Sequence, residues 1–259
     1  MKAPPDSSLL AEAPAGRHVA QFHRDAEALT ESAYVFLEGG LRRGHSVVII
    51  ATPANAERFE ARLSAGKLDP MALRNSGQLE FLDAATILGK FMANGLPEWG
   101  RFRGTLGATL DRVQALGRGT RIYGDMADIL WKDGNTQGAI RLEELWNALG
   151  RLYPFALYCS YMLDTQCEES YAGPIEELER THTEIVATVE DERFAAALDR
   201  ASKEMFGISL SQMAGMGKQD DERRFPSGQR TMLWVKRNLP SSTARLAERA
   251  RHYYKDARP

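Results

Sequence analysis

Ser46-Val47-Val48-Ile49-Ile50-Ala51, followed at once by Thr52-Pro53, decides the fold. The run is apolar and β-branched at successive positions, which suits a strand covered on both faces, as in a parallel sheet. Thr52 and Pro53 then read as a helix start, with Thr as N-cap and Pro at the first helical position. A buried strand running straight into a helix is the repeating unit of an α/β fold.

The same alternation extends to both sides. Upstream, His18 to Phe22 is a short candidate strand and Asp25 a candidate N-cap. Ala28, Leu29, Ala33, Phe36, Leu37 and Leu41 then recur at helical spacing, with Gly39, Gly40 and Gly44 around the helix end. Downstream, Phe59 and Leu63 mark the inner face of the helix that Thr52 caps, and Gln78 to Leu82 is a third strand. Asp83 caps a helix over Ala84 to Ala93, and Asn94-Gly95-Leu96-Pro97 breaks it before a helix over about 98–116. Thr120 to Tyr123 is a fourth strand, closed by Gly124-Asp125-Met126, and Trp131 is placed in the loop that follows. A helix over about 136–149 turns Ile140, Leu142, Leu145, Trp146 and Leu149 inward, with Glu143 and Glu144 outward. Phe155 to Tyr161 is a fifth strand. Five strands separated by helices imply a mostly parallel sheet flanked by helices.

The pattern changes after about Tyr171. Pro174 to Arg200 has helical spacing and no strand, Lys218 to Arg224 reads as a polar loop, and Ser241 to Tyr254 is helical again. The chain thus divides into a loose leader over 1–16, rich in Ala, Pro and Ser, an α/β domain over 17–170, and a helical C-terminal extension over 171–259.

Composition removes several function classes. A chain of 259 residues, 43% hydrophobic, supports a sizeable core. The net charge of −2 sets up no field toward nucleic acid or an anionic membrane. The basic residues of the last forty or so positions are interspersed with acidic ones and read as a solvated helix face, so direct nucleic-acid binding is not expected. No apolar run reaches the roughly 18 residues that span a bilayer. Cys159 and Cys167 are too few for a disulfide framework, which points to a reducing, cytoplasmic compartment.

Each chemical motif needs its own residue types at its own spacing. A phosphate loop requires glycines, a Lys and a Ser or Thr between strand and helix. The nearest stretch, Gly40 to Ser46, precedes a strand and carries His45 where the Lys belongs. No GxGxxG occurs for a dinucleotide, and Ser160 lacks a GxSxG elbow. His18 and His23 flank one strand, five residues apart, and so face opposite sides of the sheet. With Cys159 or Asp125 nearby, one of them could complete a metal site, but no ligand spacing supports it. A hydrogen-bonded core histidine is the expectation, with no metal and no cofactor. Cys159 is expected to be a buried strand thiol. His182 is expected on a helix, facing solvent.

Parallel sheets bind ligands beyond the carboxyl ends of their strands. That edge should gather Phe22, His23, Thr52, Asp83, Asp125, Met126 and Tyr161 to Asp164, with Trp131 close by. The ligand-binding candidates are His18, His23, Asp125, Met126, Trp131, Cys159, Tyr161 and Asp164. A small apolar or amphipathic ligand would bury against Met126, Trp131 and Tyr161, oriented by Asp125 or His23. Catalytic residues are not expected.

Several stretches together resemble the MEDS family, a sensory domain named after methanogens, methylotrophs and the dichloromethane-dehalogenase regulator. They are His18 to Phe22, Phe36 to Gly44, Gly77-Gln78-Leu79, Thr120 to Met126, Leu142 to Asn147 and Leu157 to Tyr161, in the family's order over about 17–165. His23 and Asp125 stand where the resemblance leads us to expect an aromatic residue and Glu. The resemblance implies a RecA/KaiC-like α/β core without ATPase function. It also implies bacterial signal transduction through a small, hydrocarbon-derived ligand. The expected function is a non-catalytic sensor that relays ligand occupancy through its helical tail to a signalling partner or a second copy. The alternative is a protein-interaction module on a degenerate ATPase-like scaffold, regulating a kinase or transcription factor.

Overall fold

The computed structural model describes residues 7–171, 173–215 and 225–256. Its strands are β1 (His18–His23), β2 (Ser46–Ala51), β3 (Leu79–Asp83), β4 (Met92–Ala93), β5 (Leu96–Pro97), β6 (Thr120–Gly124), β7 (Ala156–Met162) and β8 (Glu184–Ile185). Six of them form one parallel sheet in the order β3-β2-β6-β7-β1-β8, while β4 and β5 make a small antiparallel hairpin. The expected α/β sheet is therefore present. It has one strand more than the sequence suggested, because β8 lies in the stretch read as purely helical.

Alternation along the strands divides the core into two layers. Val19, Val47, Ile49, Tyr123 and Tyr158 face the helices Ala26–Arg42 and Pro53–Ala65. Ala20, Phe22, Val48, Ile50, Ile122, Leu157, Cys159 and Tyr161 face the opposite layer, which holds the helices Ala84–Phe91, Met126–Lys132 and Thr136–Gly150. The polar ends that start these helices act as read. Asp25, Thr52 and Asp83 each accept a backbone N–H from the first turn of the next helix.

The leader is not loose throughout. Ser7–Glu12 is helical, and its end is held by the buried Arg121 on β6. Arg121 donates to the carbonyls of Leu10 (3.0 Å), Phe36 (2.8 Å) and Ala11 (2.9 Å). Its side chain passes where a Cβ on residue 40 would stand, 2.6 Å from Arg121 Cδ, so Gly40 gives it room. Residues 1–6 lie outside the described residues.

One further local reading changes. Trp131 sits in the helix Met126–Lys132 and not in a loop. The helix after the β4–β5 hairpin runs from Trp99 to Gln114 with a wider, π-type turn at Arg103–Gly107.

Beyond β7 the chain forms the helix Ile175–Thr181, then β8, then the helices Val189–Phe206, Leu210–Gly215, Ser227–Asn238 and Thr243–Asp256. Thr188 and Asp191 form a capping box, and Gly207 ends that helix at φ 73°. The loop expected at Lys218 to Arg224 lies outside the described residues. Phe194, Leu198, Met232, Val235 and Leu246 join the same core layer as Phe22 and Tyr161. The Phe225 ring stacks on Phe22 at 6.2 Å.

Candidate functional site

The sheet does not gather the eight sequence candidates into one place. His18, the first residue of β1, and Cys159 and Tyr161 on β7 face the same layer. His23 points to the opposite layer, as its spacing from His18 requires, with Nε2 2.9 Å from the Tyr158 hydroxyl. That hydroxyl also donates to Gln21 Oε1 at 2.8 Å. Burial, only partly opposed by the Asp25 charge, lowers the His23 pKa to about 3, so the ring is neutral.

Asp125 stands apart at the carboxyl end of β6. Its Oδ2 accepts from Thr52 N (3.0 Å) and Asn55 Nδ2 (2.9 Å), while Oδ1 is buried without a hydrogen bond. Burial pushes its pKa up to about 6 against those two hydrogen bonds. Asp164 lies at the surface of the same edge, 3.1 Å from Arg24 Nε. Met126 is buried in the core, and Trp131 packs edge-on against Tyr161. The recess at the carboxyl edge is lined by Phe22, His23, Arg24, Gln166 and Asp191, among others, and not by Asp125, Trp131 or Tyr161. Its volume of about 10 Å³ matches about one water.

A denser constellation lies beneath the sheet. His18 Nε2 is 3.1 Å from Glu143 Oε2 and 3.4 Å from Cys159 Sγ. Cys159 Sγ is in turn 3.4 Å from Glu143 Oε2. Tyr161 donates its hydroxyl proton to Glu143 Oε1, and His182 Nε2 stands 3.7 Å from that same oxygen. The His18 and His182 rings are 4.2 Å apart. His18, Glu143, Cys159 and His182 are each at most 5% exposed.

Two expectations are corrected here. Glu143 does not face outward; it is fully buried. Glu143 lies four residues after Ala139 and three before Trp146, so it shares their buried face and turns toward β1 and β7. His182 is not a solvent-facing helical residue either. It follows the end of the helix Ile175–Thr181 in extended conformation, and the turn toward β8 directs its ring inward.

The hydrogen bonds place a proton on Nδ1 of both imidazoles. Asn147 Nδ2 donates to the Thr181 carbonyl at 2.6 Å, which leaves Oδ1 facing His18 Nδ1 at 2.9 Å. A carbonyl oxygen only accepts, so His18 Nδ1 carries the proton. His182 Nδ1 likewise lies 2.8 Å from the Leu178 carbonyl oxygen and carries its proton. Both Nε2 atoms are thereby turned toward the carboxylate. Burial alone would raise the Glu143 pKa, but the adjacent histidines and the Tyr161 hydrogen bond outweigh it and lower it. Burial, reinforced by Glu143, raises Cys159 and Tyr161 well above their ordinary values. A buried carboxylate with two imidazoles and a thiol can hold a proton network or a metal ion.

The sequence reading missed Glu143, Asn147 and His182. Glu143 and Asn147 are four residues apart and share one helix face beside the apolar stripe, the available signal. Nothing local marked His182.

A parallel sheet flanked by helices, with a polar group sealed under one face and a helical C-terminal part packed on it, defines an α/β fold. The chain belongs to the MEDS family: the profile described as "MEthanogen/methylotroph, DcmR Sensory domain" matches residues 17–183. The matched region starts just before His18 and ends just after His182, so it contains the whole buried group. No curated protein matches the chain.

Proposed function

We propose that this chain is a non-catalytic sensor in which the buried His18–Glu143–Cys159–His182 group receives the signal and the C-terminal helices carry it onward. The observation behind this reading is the connectivity of the group. It ties the first strand and the helix Thr136–Gly150 to the segment that leads into the C-terminal helices. Thr183 belongs to the same junction, since it donates its hydroxyl to the His18 carbonyl (2.8 Å) and accepts from His18 N (3.0 Å). A ligand that favours one arrangement of this junction shifts the population of the helices beyond it.

The family's sensory role supports a small ligand, hydrocarbon-derived as the resemblance implies. A role other than P-loop nucleotide hydrolysis is supported at the turn after β1, where a phosphate loop would wrap its anion. That turn is Arg24-Asp25, without glycine, and the Asp25 carboxylate takes the helix N-terminus through Ala28 N at 2.8 Å. The free thiols Cys159 and Cys167 suit the cytoplasm. No helix among the described residues is long and apolar enough to cross a membrane.

The test is thermal denaturation of the full chain with methanol, formaldehyde, dichloromethane and short-chain alcohols, together with hydrogen exchange across residues 184–206. Saturable stabilisation with altered exchange in that span is expected. Stabilisation by none of the probes would count against a hydrocarbon-derived ligand. The interaction-module reading draws on Ile208 and Met213, which are exposed on the C-terminal helical part. It predicts self-association that charged substitutions at those two positions abolish in light scattering.

A further inference from the structure

We propose that His18, Glu143, Cys159 and His182 bind one divalent transition-metal ion of the zinc type. The donor set is two imidazoles, a thiolate and a carboxylate, which are the ligand types zinc takes. Zinc bonds of about 2.0–2.3 Å in a tetrahedron set the donor atoms roughly 3.3–3.7 Å apart. His18 Nε2, Glu143 Oε2 and Cys159 Sγ already form a triangle with sides of 3.1, 3.4 and 3.4 Å. That triangle is close to one face of such a tetrahedron. His182 Nε2 supplies the fourth corner, all four ligand atoms lying within 4.8 Å of one another. Closing the widest of those separations to a tetrahedral edge takes a movement of about an ångström.

The surroundings fit the same chemistry. Ligating histidines characteristically donate their other ring N–H to a carbonyl or carboxylate, which fixes the ring and exposes the lone pair. His18 does so through Nδ1 to Asn147 Oδ1, and His182 through Nδ1 to the Leu178 carbonyl. Tyr161 holds the carboxylate through Glu143 Oε1, leaving Oε2 for the ion. As the ion enters, the Cys159 proton and the proton shared by His18 Nε2 and Glu143 Oε2 leave to solvent, so that thiolate, carboxylate and imidazole lone pairs face the ion. The group is sealed, so the ion enters during folding or when the helix Ile175–Thr181 opens, and it leaves slowly. Its binding rests on this geometry; a signalling role for it rests on the sensory reading above.

The experiment uses the full chain, stripped with a chelator and titrated with Co²⁺ and then Zn²⁺. The expected result is one Co²⁺ per chain, with a thiolate-to-cobalt charge-transfer band and the intense visible bands of four-coordinate cobalt, displaced by Zn²⁺. Cys159→Ser should remove the charge-transfer band, and Cys167→Ser should leave it unchanged. His182→Gln should weaken Zn²⁺ binding at least tenfold, with circular dichroism checking that each variant folds. No stoichiometric binding, or a charge-transfer band that survives Cys159→Ser, overturns the proposal. Hydrogen exchange across 184–206 separates the two ideas. Metal binding without a change there upholds the site and removes its signalling role. A response to the organic probes without metal binding upholds sensing and removes the metal.

Discussion

Asp125 shows how much one side chain can set at this edge of the sheet. Its carboxyl is 1% exposed, one oxygen has no hydrogen bond, and its pKa is pushed up to about 6 from an ordinary 3.8. The nearby charges, Asp128 and Lys132, act in opposite directions on it. Between about pH 4 and 6 the folded chain therefore holds a proton that the unfolded chain has released. Stability from this group is greatest at the acid side of the window and falls as pH rises through it, by about 3 kcal/mol at most. Asp191, also pushed up to about 6 by burial, works in the same direction. Asp125→Asn keeps an acceptor for Thr52 and Asn55 and removes the charge. We expect it to stabilise the chain by about 1–2 kcal/mol at pH 8 and to be near neutral at pH 4. Urea denaturation at both pH values checks this, and an equal effect at both would rule out the titration. Asp125 was legible in the sequence as a strand-end carboxylate. Its isolation from Tyr161 and Trp131 was not, because the order of strands across a sheet is set by tertiary packing.

At the scale of elements, strands and caps were legible because each carries its signal locally. The apolar run of β2, the Thr52-Pro53 start and Asp83 needed no distant partner to be read. The errors arose where a residue's surroundings come from distant parts of the chain. The helix Thr136–Gly150 carries Glu143 on the same face as Ala139, Leu142 and Trp146, and its carboxylate meets His18 on β1 and Cys159 and Tyr161 on β7. Strand β8 has only two residues and exists through pairing with Val19 and Ala20. Asn147 is the link between these elements, bonded to His18 on one side and to the Thr181 carbonyl on the other. Asn147→Ala should cost about 1–3 kcal/mol, since it strands a buried imidazole N–H and a carbonyl. Hydrogen exchange should rise across residues 181–185 and stay unchanged in β2 and β3. A rise spread evenly over the sheet would mean that Asn147 supports the fold in general and does not specifically tie down the junction.

For the whole molecule, the family match ends at residue 183, but the core does not. Phe194, Leu198, Met232, Val235 and Leu246 belong to the layer that also holds Phe22, Tyr161 and Tyr171. Phe225 covers Phe22, and Lys236 donates to the Tyr171 carbonyl. A chain ending at residue 183 would return the Phe22 side of β1 to water and leave that strand without β8 at the sheet edge. Each large apolar side chain fully re-exposed costs about 1.5–3 kcal/mol, and a domain's whole margin is about 5–15 kcal/mol. A few such exposures consume that margin. We expect the shortened chain to aggregate or to melt far below the full chain, and the full chain to unfold in a single calorimetric transition. A shortened chain that stayed monodisperse and melted at the full chain's temperature would show that the C-terminal helices only rest on the sheet. In the sensor reading proposed above, this shared core is the route by which a change at His182 would reach those helices. Close packing would pass a displacement at the junction on to Phe194 and Leu198, which share that core layer.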